Sequence, residues 1–467
     1  MSRTPPSERS AARRARLDWV DLPFFGPPSD EPILGSATYA SRIKHLRALM
    51  DEANLDRLLV YADREHSANI SYLSGFDPRF EEALLVVGGA GVPDVLVGNE
   101  NRGTAGAAPL PMRTQMFQDF SLPGQPRDKS RPLTEILADA GIGPKSRVGV
   151  VGWKEYAQPW MSDVPAYLID TVRGLAGPDN VSNQTGLLID ASAGMRVINE
   201  PEQLAYLEWA ACHVSDGVRN LLWNVRPGMT EHDAVALLRW NGTPLSCHLM
   251  LTAGPRAKLG LLSPSDRRIA RTDTFTTAYG IWGALTCRAG FMVEDARELP
   301  RPVRNYVDRL VAPYFEAVAE WLEALHIGQT GGALYEISAR RLGDPFFGIF
   351  LNPGHQISLD EWVNSPVWPG SEVELRSGMA MQVDIIPATG TDYFTSNMED
   401  GVALADAPLR AQLAERFPQM WRRMTERRTF MARSLGIELH PDVLPLSNLT
   451  GYLPPFILQP GRALTLA

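Results

Sequence analysis

The sequence predicts an α/β protein built as two domains. Three observations carry this. The chain has 467 residues, more than one ordinary core needs. Short apolar runs alternate with helically spaced segments as far as about residue 190. A sharp restart then follows at Asn199, where a cap-like stretch opens a long amphipathic pattern.

Residues 1–35 are rich in Pro, Ser and Arg and read as an extended lead-in. A first domain is expected over 36–190. In it SRIKHLRALMDEANLD carries apolar residues at helical spacing, and RLLVYA and EALLVVGG read as buried strands. DVLVG and RVGVVG continue the alternation, with the helical PLTEILADAG between them. A second domain is expected over 195–467. It opens with NEPEQLAYLEWAACHVSDGVRNLLWNV, where Asn199 is placed to cap, Pro201 suits the first turn, and Glu202 stands three residues after Asn199. Leu204, Leu207, Ala211, Val214, Val218 and Leu221 then share one apolar face. RPGMTEHDAVALLRW repeats the pattern, with Thr230 as cap and Asp233 three residues later. Strands are expected in HLMLTAG, TFTTAYGIWGALTC, AMQVDIIPA and DGVALA, and helices at about 303–325 and from Pro408 to Leu435.

Composition narrows the function. Apolar residues are 44% and charged residues 21%, as in soluble globular enzymes. No run approaches the roughly 18–20 apolar residues of a membrane span, and the first residues lack the apolar segment of a signal peptide. A cytoplasmic location without a membrane partner is therefore expected. Cys212, Cys247 and Cys287 are an odd number without CxxC spacing, which suggests neither a disulfide framework nor a structural zinc site. A net charge of −9 argues against nucleic acid as a partner. The five arginines in the first sixteen residues are the local exception and read as a solvated tail.

One ordered set of motifs goes further. RVINEPEQL, RPGMTE, LTAGPRA, NPGHQIS, LRSGMAMQVDIIP and SNMEDGVALAD follow one another over about 195–410. Their order resembles that of the creatinase, Xaa-Pro aminopeptidase and methionine aminopeptidase superfamily. LLVYADREHSANISYLSGF is similar to the N-terminal domain of creatinase- and prolidase-like members. The resemblance implies a creatinase-like α/β domain followed by a pita-bread α/β (α+β) domain, with the site in the crease between its two halves. In the metallopeptidases of that group five residues hold two metal ions. His355 after Gly354, Asp384 and Glu399 match three of them. The other two, aspartates about eleven positions apart, fall within TFTTAYGIWGALTCRAGF. There the slots receive Thr276 or Thr277 and Cys287 or Arg288. Hard divalent ions need oxygen anions that these side chains do not supply, and an arginine would repel the ions. The stretch resembles instead the corresponding region of creatinase, the metal-free member. No metal and no cofactor is therefore expected.

On this resemblance His248 is the general base, because imidazole takes and returns a proton near neutrality. His355 and Glu399 complete the catalytic set, holding and protonating the substrate, with Glu399 able to grip an amidine or guanidine by paired hydrogen bonds. Asp384, flanked by apolar residues, is expected in the cleft or in a fixed ion pair. Asp360 and Glu361 stand in a DEW context that resembles the catalytic acid of a related lyase, or form a solvated turn. Arg288 is the candidate clamp for a substrate carboxylate, while Arg256 and Arg376 read as structural. Cys287 reads as packing rather than a nucleophile. Tyr279 and Phe76 are candidates to line a pocket or to fill a core. The expected function is metal-independent hydrolysis of a C–N bond in a small amidine, guanidine or amide, by a homodimer. The alternatives are a metallopeptidase or metal-dependent lyase with a reduced site of His355, Asp384 and Glu399, and a non-catalytic metabolite-binding protein.

Overall fold

The computed structural model describes residues 13–467. The chain divides into two compact units, Ile33–Ile198 and Asn199–Ala467, the latter joined by residues 13–32. Residues 13–32 of the expected lead-in thus belong with the second unit. Its strand β1 (Ala15–Trp19) pairs antiparallel with residues 462–466, Ala15 opposite Leu466 and Trp19 opposite Arg462. Of the arginine-rich stretch, Arg3 and Arg9 lie outside the described residues.

The Ile33–Ile198 unit is built on a mixed six-stranded sheet. Its strands are β2 (Arg57–Ala62), β3 (Ala83–Gly88), β4 (Asp94–Val97), β5 (Arg113–Met116), β6 (Val148–Val151) and β7 (Val181–Asn183), in the order β5-β4-β3-β2-β6-β7. The central strands are continuous apolar runs because both faces are covered. Leu59, Leu84, Val86, Leu96, Val148 and Val150 form one core with Ile136, Leu137, Leu168 and Val172 of two helices. Phe76 is 1% exposed and sits just after a left-handed turn at Gly75. Its carbonyl accepts from Ser71 Oγ and its N–H donates to Ser74 Oγ. Phe76 therefore sits in this unit's interior.

The second unit begins with the helix Pro201–Asn224, which buries all six residues of the expected apolar face. Its N-cap is Glu200 rather than Asn199. Asn199 instead donates both its N–H and its side-chain amide to the Gly378 carbonyl, at 2.8 and 2.9 Å. The box at Thr230 and Asp233 forms as expected, each side chain accepting from the other's N–H. The strands are β8 (Met250–Ala253), β9 (Thr274–Ile281), β10 (Ala284–Phe291), β11 (His355–Gln356), β12 (Ala380–Val383), β13 (Asn397–Leu404), β14 (Val443–Pro445) and β15 (Arg462–Leu466). All but β15 join one antiparallel sheet in the order β11-β12-β13-β10-β9-β8, with β14 also on β13.

TFTTAYGIWGALTC is two strands, β9 and β10, turned by the two residues Trp282 and Gly283, the glycine at φ +97°. The helix expected at 303–325 is regular only over Ala312–Ala324. A π-helical turn, Val307–Val311, precedes Pro313, which has no N–H to give to the preceding turn. The helix expected from Pro408 to Leu435 is broken in two, Ala407–Arg416 and Pro418–Phe430. Pro418 forces Phe417 out of helical angles, to φ −131° and ψ 59°. No helix among the described residues is long and apolar enough to cross a membrane.

Candidate active site

Side chains alternate between the two faces of a strand, so the register of this sheet decides which residues can meet. Cys287 lies opposite Ala278 on β9 and opposite Glu399 on β13. Thr276, paired with Ala289, and Asn397, also paired with Ala289, share that face. On β12, Gln382 pairs with Gly401 and with His355 of β11. One face therefore carries Thr276, Cys287, His355, Gln382, Asn397 and Glu399. The opposite face carries Thr277, Tyr279, Thr286, Arg288 and Asp400. The two slots left open by the sequence are thereby settled: Thr276 and Cys287, not Thr277 and Arg288, share a face with His355 and Glu399.

His355 is the centre of the group. Gly354 before it adopts φ +123°, and a Cβ there would lie 2.7 Å from the Trp321 ring, so only glycine fits. After it the chain doubles back. The Gln356 N–H donates to the Asn364 carbonyl at 2.7 Å and the Val363 N–H to the Gln356 carbonyl at 3.0 Å. This loop lays Trp362 over the imidazole, ring centroids 4.1 Å apart and planes 18° from parallel. It also brings Glu361 Oε1 to 3.3 Å from His355 Nε2. Glu399 Oε1 lies 3.7 Å and Asp384 Oδ2 4.0 Å from the same nitrogen. On the far side of the ring Nδ1 lies 3.3 Å from the Gln356 carbonyl, which can only accept, so Nδ1 carries a hydrogen.

The charges are strongly coupled. Burial alone would depress the His355 pKa, but the carboxylates of Glu361 and Glu399 beside it outweigh that and raise it to about 10. The imidazole is thus an imidazolium at neutral pH. Burial raises Glu399 despite the pull of His355, and burial plus the charge of Glu399 lifts Asp384 well above the carboxylate range. Burial, with the nearby carboxylate of Glu399, pushes the Cys287 thiol well up, and burial beside Glu361 and Glu399 pushes Cys247 up to about 12. Both stay protonated, so Cys287 is a packing thiol, grouped with Cys247, Met250, Ala278 and Leu285.

Other expected members are committed to different partners. His248 is exposed, and its Nε2 donates to the Leu261 carbonyl at 2.6 Å. Its neighbour Cys247 is a residue whose titration feels Glu361 and Glu399. Arg288 is 1% exposed on the opposite face. It pairs with Asp400 at 2.7 Å and donates to the carbonyls of Tyr452, Leu449 and Cys287. A guanidinium so enclosed is a structural cation, not a clamp for substrate. Tyr279 is buried on that face too, against the Pro201–Asn224 helix, where a Cβ at Gly217 would come within 3.1 Å of its ring. Asp360 lies in the doubling-back loop, its carbonyl accepting from the Ser358 N–H, while the adjacent Glu361 reaches the imidazole. Trp362, Gln382 and Asn397 were missed in the sequence. Period-two spacing from Asp384 and Glu399 would have found the latter two.

The donor atoms fit one cation better than two. One atom each from His355, Glu361 and Glu399 lies within 4.8 Å of the others. A second ion would need the carboxylates that Thr276 and the protonated Cys287 do not provide.

Residues 42–157 match the creatinase/prolidase N-terminal domain. The architecture matches solved structures closely in extent. The prolidase from Pyrococcus horikoshii superposes with TM-score 0.61 at 17% identity, over 78% of this chain and 95% of that one. This is the creatinase/prolidase fold. Dipeptidase PepE from Mycobacterium ulcerans gives 0.60 at 18% identity, over 80% and 94%, and the X-Pro aminopeptidase from Thermotoga maritima 0.61 at 16%, over 78% and 95%. A sequence search of curated proteins gave no match. At these identities the likeness speaks to the creatinase/prolidase fold, and the chemistry rests on the side chains.

Proposed function

We propose that this chain hydrolyses a C–N bond of a small amidine, guanidine or amide without a metal ion, by proton transfer within the group His355, Glu361, Asp384 and Glu399. The observation that carries the reading is the setting of the His355 ring. His355 Nε2 lies within 4.0 Å of three carboxyl groups, on a face where Thr276 and Cys287 stand at the two slots for metal-holding aspartates. The solved relatives named as prolidases and dipeptidases act on peptide C–N bonds, which supports the reaction class.

Hydrolysis needs a base for water and an acid for the departing nitrogen. Glu361, its side chain 24% exposed, is the most accessible of the three carboxyls and takes the proton from water. His355, protonated up to about pH 10, gives its Nε2 proton to the leaving nitrogen. Glu399 and Asp384 hold the charge that develops. In the same proposal the enzyme is a cytoplasmic homodimer, for which light scattering on the purified protein should return twice the chain mass.

The deciding experiment is turnover before and after exhaustive chelation, with metal content measured on the same sample. Turnover unchanged within about twofold supports the proposal, whereas loss restored by one added ion overturns it. That second outcome has its own observation behind it, the three ligand atoms within 4.8 Å. There His355, Glu361 and Glu399 would hold a single ion, which supplies Lewis acidity and a more acidic bound water.

A further inference from the structure

The catalytic face carries buried acceptors that nothing in the chain answers. Gln382 is fully buried. Its Nε2 is committed to the Leu285 carbonyl at 2.7 Å, which fixes the amide and leaves Oε1 without a donor. Asp384 Oδ1, on a residue 5% exposed, has no partner either, and nor has Oδ1 of Asn397, 6% exposed. Gln382 and Asn397 share a face by register, and Asp384 lies two residues beyond Gln382, within reach of His355. Buried acceptors left unsatisfied are destabilising, and three on one face form a pattern that a ligand rich in N–H groups completes.

Charge points the same way. Three carboxyl groups lie within 4.0 Å of the one imidazole nitrogen His355 Nε2. The one cation expected to hold a carboxylate, Arg288, is spent on Asp400 across the sheet. We propose that the substrate is a monocation with several N–H donors and no carboxylate, an alkylguanidinium or alkylamidinium, and that Gln382 and Asn397 set this preference together with Asp384. The inference rests on reading this face as the reaction site. It departs from a carboxylate-bearing substrate and assigns specificity to two side chains outside the catalytic group. A quaternary ammonium, with no N–H, satisfies the charge but leaves the acceptors empty. A guanidino acid satisfies the acceptors but brings an anion into a site already rich in carboxylates.

The test is calorimetric binding to the E361Q protein, so that affinity is read without turnover. The probes are butylguanidinium, guanidinobutyrate, tetramethylammonium and zinc ion alone. Butylguanidinium should bind about tenfold or more tighter than either guanidinobutyrate or tetramethylammonium. Gln382→Met and Asn397→Leu should each weaken it about fivefold or more while leaving tetramethylammonium unchanged. Asn397→Asp, which keeps the shape and adds charge, should tighten butylguanidinium, and it keeps the test open should the apolar variants not fold. Equal binding of tetramethylammonium, tighter binding of guanidinobutyrate, or saturable binding of zinc alone with none of butylguanidinium overturns the inference. Butylguanidinium binding in the expected order, with no alkylguanidinium or alkylamidinium hydrolysed by the unsubstituted chain, leaves the binding inference standing and removes the proposed reaction.

Discussion

At the residue scale the proposed reaction places the catalytic burden on Glu361 and His355, not on His248. Glu361→Gln should lower kcat by about 10²–10⁴-fold, as loss of a general base does, while His248→Ala stays within about threefold of the parent; steady-state kinetics on both decide it. The pH response follows from His355. Its folded pKa, about 10, lies above the ordinary 6.5, so its contribution to stability is fully present below about 6.5 and fades as pH rises through about 10. Asp384 and Glu399, also raised, act with the same sign from their own lower starting values. The melting temperature should therefore fall as pH climbs from neutral toward 10, and His355→Gln should remove the upper part of that fall. His355, Asp384 and Glu399 were legible because each stands in a short motif whose neighbours are distinctive. Glu361 was harder to single out, since DEW offers two acids and only the fold of the loop chooses between them. For His248, a motif places a residue along the chain but does not say which way a bend turns its side chain, here exposed and bonded to the Leu261 carbonyl.

At the element scale the decisive fact is the parity of β9 and β10. A one-residue slip of either would exchange Cys287 for Arg288 on the face of His355 and Glu399, and pairing of Cys287 with both Ala278 and Glu399 fixes the register. Arg288 then belongs to a different task, neutralising Asp400, whose own pKa burial raises despite the guanidinium. Arg288→Met should cost about 3–5 kcal/mol in denaturant unfolding because Asp400 is left buried without its cation, and Arg288→Met with Asp400→Leu should recover much of that loss. The capped helix at Pro201 and the box at Thr230 could be read directly, since local side-chain chemistry makes them. The split at Pro418 was also written in the sequence, and the apolar pattern running through it concealed the break. The pairing of β1 was not readable, because its partner strand lies at the other end of the chain and no local signal links them.

At the scale of the whole molecule, each unit has its own means of cohesion. The Ile33–Ile198 unit relies on a sheet buried on both faces. The Asn199–Ala467 unit adds a buried polar knot, in which Glu208 accepts from Arg423 at 2.6 and 2.9 Å and from Arg427 at 2.7 Å. Burial opposes ionisation of Glu208, but the two guanidiniums prevail and hold its pKa below the usual 4.5. Its stabilisation is thus present above about 4.5 and lost as pH falls through the folded value, so Glu208→Gln should abolish the steepest acid-side loss of stability seen by calorimetry. The same unit is tied at β1, where Arg13 also pairs with Glu323 and the Ala15 N–H donates to Glu316. Removing residues up to Trp19 should raise amide exchange across Arg462–Leu466. That pairing has a consequence for biosynthesis. On the ribosome Ile33–Ile198 can collapse while translation continues, yet Ala15–Trp19 must wait as an open hydrogen-bonding edge until residues 462–466 emerge. The chain therefore carries an unfinished strand while the residues between the two are made, and nascent-chain chaperones have something to shield until residues 462–466 are added.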